Sequence, residues 1–199
     1  AVLGERVGEQ LESIPIATMA FGDLVAEAPD ADVLVSDLPL PYGRNPYGAY
    51  DQRDAPLAGF FSAALDDRSA PMTRVVGTGS GDGAVAVPLA VIAAEGVVSV
   101  EADGAPVSIW FRPGLRSPLG GATVRDGAEI GATAAFATDE TFRLVGEVIV
   151  DDATGSVWNI LGEAVDGPRT GERLGAVPHL DTFWFAWAGY HPQTALLTG

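Results

Sequence analysis

Apolar residues fall in short runs broken every few positions by glycine or proline. Such punctuation favours many short strands over long helices. Strands are expected at 73–77, 84–87, 97–102, 106–112, 132–136, 141–151 and 156–161. Asp103-Gly104 separates two of these runs and is a strong signal for a two-residue hairpin turn. The run from Phe142 to Val150 alternates imperfectly, as a half-buried strand does. Three short helices are expected, at 20–28, 88–95 and 182–190. Asp181 stands where the N-cap of the last would fall, and Pro192 stops it. The Pro-, Tyr- and Gly-rich stretch 38–67 is long for a loop, so it should pack on the core or act as a functional loop. These elements predict one mainly β, α+β domain over 1–199. Its centre, 73–162, is an antiparallel-rich sheet or a barrel-like core with short flanking helices.

The two ends of the chain resemble each other. A shift of 163 positions, without a gap, superposes Gly4, Arg6, Gly8, Glu9, Leu11, Pro15, Pro29 and Leu34 on Gly167, Arg169, Gly171, Glu172, Leu174, Pro178, Pro192 and Leu197. Each unit, about 4–36 and 167–199, is expected to hold a Gly-rich entry, a short strand ending in proline, a helix, a second proline and a short strand. The two units should flank the central strands.

Charge narrows the classes of partner. Twenty-seven acidic residues against eleven basic ones give a net charge of −16, every basic residue is arginine, and aspartate outnumbers glutamate. A surface this negative repels nucleic acid and anionic lipid. Molar salt shortens the screening length to about 3 Å and would relieve the self-repulsion, so the composition points to a halophilic protein. With no cysteine, disulfides and thiolate chemistry are excluded. The longest apolar run, 85–94, is too short to span a bilayer and is interrupted by Pro88. The first residue is Ala rather than Met, which leads us to expect a chain processed from a secreted or membrane-anchored precursor.

Few residues suggest chemistry. The stretch 41–51 (PYGRNPYGAYD) sets tyrosines and an arginine in a Gly/Pro frame, as a rigid recognition loop would, or equally a loop anchored by its Tyr rings over a sheet. Tyr42, Arg44, Tyr47 and Tyr50, with Arg53, form the candidate binding surface. His179 and His191 are the only histidines; with Asp181, or with Asp151, they could supply two imidazoles and a carboxylate to a transition metal, although their spacing matches no standard ligand motif. The simpler reading makes one a helix C-cap and the other a hydrogen-bonding side chain. The aromatic helix 183–190 reads as core, and 151–158 (DDATGSVW) as an Asx-type turn between strands. Gly-rich 77–83 matches neither phosphate-loop pattern nor the nucleophile elbow and reads as a hairpin loop. No catalytic set can be assigned, and no cofactor is evident beyond that possible metal.

Three blocks give the chain a family likeness. They are 41–51 with 72–77 (MTRVVG); 86–89 (AVPL) with 95–97 (EGV); and 152–159 (DATGSVWN) through 162–168 (GEAVDGP). Phe183 to Trp187, with His191 and Pro192, continues the pattern. The chain thereby resembles domain-of-unknown-function family 3179, found in bacteria and haloarchaea. The resemblance implies an exported or surface protein and little else about activity. Many relatives carry a Cys-Pro-Leu-Cys stretch where this chain has 110–115 (WFRPGL), so no thiol-based role transfers. The acid-rich, cysteine-free form is similar to haloarchaeal members. These readings favour a non-catalytic extracytoplasmic module that binds a protein partner or small ligand. The alternatives are a metalloprotein or enzyme using the histidines, and a structural subunit of a cell-surface assembly.

Overall fold

The computed structural model describes residues 4–9, 12–35, 45–59, 61 and 64–197. Twelve strands are numbered in chain order: β1 (Arg74–Thr78), β2 (Val85–Pro88), β3 (Val97–Ala102), β4 (Ala105–Arg112), β5 (Ala132–Ala137), β6 (Phe142–Val145), β7 (Val148–Asp151), β8 (Val157–Trp158), β9 (Ala164–Asp166), β10 (Gly175–Ala176), β11 (His179–Phe183) and β12 (Ala195–Leu196). The helices are α1 (Phe21–Glu27), α2 (Leu89–Glu95) and α3 (Trp184–Tyr190). The strands make three open sheets rather than a barrel. The orders are β11-β1-β2-β12, β10-β5-β4-β3 and β6-β7-β8-β9, which we call the outer, central and far sheets. Every pairing is antiparallel except β12 on β2.

The central sheet is buried on both faces, and the alternation of β4 shows how. Val107, Ile109 and Phe111 point toward Val76, Val85 and Val87 of the outer sheet, with Leu89 and Ile92 of α2 between. Trp110, one position out of phase, points the other way, into Phe136, Phe142, Ile149 and Trp158. Successive strand residues face opposite sides, so a run apolar at nearly every position is what a strand buried on both faces requires. Trp110 is fully buried, with ring centroids 4.5 Å from Phe136 and 4.9 Å from Phe142, and its indole N–H donates to Ser108 Oγ at 2.9 Å. A third cluster forms where α3 sets Trp184, Trp187 and Ala188 on Val75, Ala84 and Ala86 of the outer sheet. Gly77 makes room for it: a β-carbon there would lie 2.3 Å from the Trp187 ring.

The Asp103-Gly104 turn forms as expected, both residues having positive φ (51° and 74°), the requirement of a tight hairpin. The expected strand 141–151 breaks into β6 and β7 instead. Gly146, at φ 64°, turns the chain so that Phe142 pairs with Asp151. The alternation was imperfect because it belongs to two strands. Asp181 is not an N-cap: α3 starts two residues later, at a Phe183 cap without a side-chain bond, and Asp181 lies inside β11 opposite Val76. Thr182 and Phe183, expected in the helix, extend that strand.

Candidate functional site

The slot between the outer and central sheets is open at one end. There, Leu89, Phe111 and Ile130, all members of the core that fills the slot, also line a cavity of about 410 Å³. Met72, Arg74 and Phe183 form another wall, Ala90 and Ala93 of α2 a third, and Asp51 and Gln52 reach in from the loop expected to bind a ligand. An apolar concavity with a few convergent polar groups is the general form of a small-molecule site.

Local chemistry fixes the loop over this opening. Asn45 accepts from the Tyr47 amide at 3.0 Å, closing an Asx turn, and its Nδ2 donates to Gly121 O at 3.1 Å. The Tyr50 amide donates to Leu119 O at 2.8 Å, and Gln52 Nε2 donates to Gly120 O at 2.7 Å. Ala49 is held at φ 64°, a left-handed conformation that costs a non-glycine residue roughly 1–2 kcal/mol. The surrounding bonds offset that cost and aim residues 50–52 at the cavity. Tyr50 meets Phe183 edge-on, centroids 5.8 Å apart.

The polar groups are unevenly satisfied. Arg74 pairs with Asp181 at 2.8 Å, donates to Ser117 Oγ at 3.3 Å, and lies 5.1 Å from the centre of the Phe183 ring. Burial pushes the Asp181 carboxyl up from its ordinary value, partly offset by the Arg74 charge and hydrogen bond. Glu129 accepts from the Gly114 amide at 3.0 Å. Asp51 differs: its Oδ1 is buried and has no hydrogen-bond partner. A buried acceptor without a donor costs about 1–3 kcal/mol, and Asp51 is also one of the residues that line the cavity.

The expected site residues separate. Tyr42 and Arg44 lie outside the described residues. Tyr47 projects into solvent, Tyr50 turns inward to Phe183, and exposed Arg53 bonds the Ala55 carbonyl. Of the metal set, His179 and Asp181 are two apart on β11. The His179 Nε2 lies 3.1 Å from Thr133 O, and Asp181 is engaged by Arg74. His191 sits at the C-cap of α3, its ring stacked 4.0 Å from Trp187. Among the described residues, no three His, Asp or Glu side chains converge as a metal group. Asp151 is fully buried at the β7–β8 turn, accepting from the Thr154 amide at 2.6 Å and the Trp158 indole at 2.9 Å. Arg74, Phe111 and Phe183 escaped the sequence reading as site residues. They come from three separate strands, and only Arg74, a charge opening an apolar strand just after the tyrosine loop, left any signal.

With this geometry in view, the likeness seen in the sequence has a firmer basis. The chain matches, over residues 1–194, the model of the family described as protein of unknown function (DUF3179), and it belongs to that family. No curated protein and no solved structure matches it.

Proposed function

We propose that this member of the DUF3179 family is a non-catalytic binding module. Its ligand is a small molecule with an apolar body and a hydrogen-bond-donor end, taken into the cavity beneath the tyrosine loop. One observation carries the reading: Asp51, whose Oδ1 is buried without a partner, lines a cavity walled by Leu89, Phe111, Ile130 and Phe183 and edged by Gln52, Thr73, Arg74 and Glu129. The body of the ligand packs on Phe111, Ile130 and Phe183, and its donor end, an amine or amide, meets Asp51. Arg74 is tied to Asp181 and Ser117 and serves as a fixed wall. The test uses small aromatic amines, benzylamine first, in molar salt. Ala93→Trp fills the cavity from the exposed side of α2 and should abolish binding, and Asp51→Ala should weaken it at least tenfold, about 1.4 kcal/mol. Binding unchanged in both variants would sink the reading.

The module is read as extracytoplasmic and halophilic. At least seven of the eleven arginines are in ion pairs, among them Arg68 with Asp66, Arg112 with Glu27, and Arg169 with Glu140. Most of the cations are thus already matched with carboxylates, Arg112 and Arg169 with two each, and the remaining negative excess is left to solvent ions.

A further inference from the structure

We propose that residues 4–35 and 167–197 are two copies of one unit, and that the first docks as the second does: on the β1–β2 face of another module of this fold, one whose own unit leaves that face open. The inference is independent of the cavity.

The two segments share a set of backbone features at the offset of 163, although β10, β11 and β12 have no strand counterparts among the described residues of the first. Gly4 and Gly8 have φ 86°, and Gly167 and Gly171 have φ 94° and 90°. Val7 N donates to Gly4 O and Glu9 N to Arg6 O, as Thr170 N does to Gly167 O and Glu172 N to Arg169 O. Arg6 Nε binds Glu9 at 2.6 Å, and Arg169 Nε binds Glu172 at 2.9 Å. α1 and α3 are both seven residues long and start 163 positions apart. Their C-caps have the same unusual backbone, φ −137° and ψ 67° at Ala28 against φ −126° and ψ 67° at His191. Beyond them, Ala31 N donates to Ala28 O and Thr194 N to His191 O, each at 3.0 Å.

The copies differ in the face they bury. In the second, Trp184, Trp187 and Ala188 are buried on the outer sheet, and β12 extends that sheet by pairing with β2. The equivalents of Trp184, Trp187 and Ala188 are Phe21, Leu24 and Val25; Leu24 is half-buried, and Phe21 and Val25 are 64% and 51% exposed. The equivalent of Leu196 in β12 is Val33, also exposed. α1 has no buried residue. It is held to this module by its opposite side, where Asp23 and Glu27 both pair with Arg112. Positions 21 and 25 lie on one helix face and 23 and 27 on another, roughly 200° away at 3.6 residues per turn. The acidic side is therefore docked here, and the apolar side is presented outward. Its occupant is identified by the second copy: a hairpin of the β1–β2 kind, small enough at positions such as Gly77, Ala84 and Ala86 to admit large side chains.

The test grafts the first copy onto a face of that kind. In the full chain, residues 182–197 are replaced by the sequence of residues 19–34. The expected result is cooperative unfolding that is lost when the grafted Phe21 is changed to Asp. In parallel, Phe21→Asp with Val25→Asp at the native positions should leave the melting temperature within about 2 °C of the parent. A graft no more stable than one carrying the same residues scrambled would overturn the proposal. So would a native-position double variant as damaging as Trp184→Asp, since the face would then already be covered by its own chain.

Discussion

Arg74 and Asp181 pair at 2.8 Å across β1 and β11, although neither is opposite the other: Arg74 faces Phe183 in the register and Asp181 faces Val76. The contact is a diagonal one, within reach of a long side chain, and it leaves the Phe183 ring beneath the guanidinium. Both partners are mostly shielded from solvent. Removing one partner strands the other's charge. Asp181→Ala should therefore cost about 3–5 kcal/mol in urea unfolding. The double change Arg74→Met with Asp181→Leu should recover most of it. Additive losses would show that the pair is not coupled.

Asp151 sets a pH dependence. Burial alone would raise its carboxyl, but the Trp158 indole, the Thr154 amide and hydroxyl, and the Arg169 charge together pull it down to about 2. A lowered folded value means stabilisation that is present above the ordinary aspartate value of 3.8 and lost as pH falls through about 2. Asp151→Asn removes the charge and replaces one of the two acceptor oxygens by a donor, while keeping the shape. The stability gap between parent and variant should be largest at pH 5 and shrink steadily toward pH 2. Asp181 is raised and acts in the opposite sense above 3.8, but it is common to both proteins and cancels in the difference. A gap constant with pH would contradict the assignment.

Salt is the third prediction. With most cations engaged in ion pairs and a net charge of −16, lowering salt from 2 M to 0.1 M lengthens the screening distance from roughly 2–3 Å to about 10 Å and restores repulsion among carboxylates. The melting temperature should fall continuously on dilution. Replacing exposed acids such as Asp54 and Asp82 by Asn should reduce the slope. A melting temperature independent of salt would remove the halophilic reading.

How much of this was legible follows from how local each signal is. The Asp103-Gly104 turn, the DATGS turn and α2 are written in contiguous residues, and they form where expected. The β6–β7 break was missed because Gly146 sits inside one apolar run, 142–150, whose imperfect alternation also fits a single half-buried strand. β9 and β11 were missed because strands this short or this polar are defined by their partners, as β11 is by β1, whereas β10 falls just before Pro178, where the repeat unit places a short strand. The cavity was half visible. The loop announced itself through its tyrosines, but its contribution comes from Tyr50, Asp51 and Gln52, and the opposite wall is assembled by pairing residues more than a hundred positions apart.

The most direct test of the binding module reads the cavity itself. The chain has two methionines: Met72 lines the cavity, and Met19 packs on the far-side core. With methyl-labelled methionine, titration with benzylamine in molar salt should shift the Met72 resonance in a saturable way, leave Met19 in place, and fail in Ala93→Trp. A Met72 signal that never moves, or that moves equally in Ala93→Trp, would contradict the assignment of a ligand site beneath the tyrosine loop.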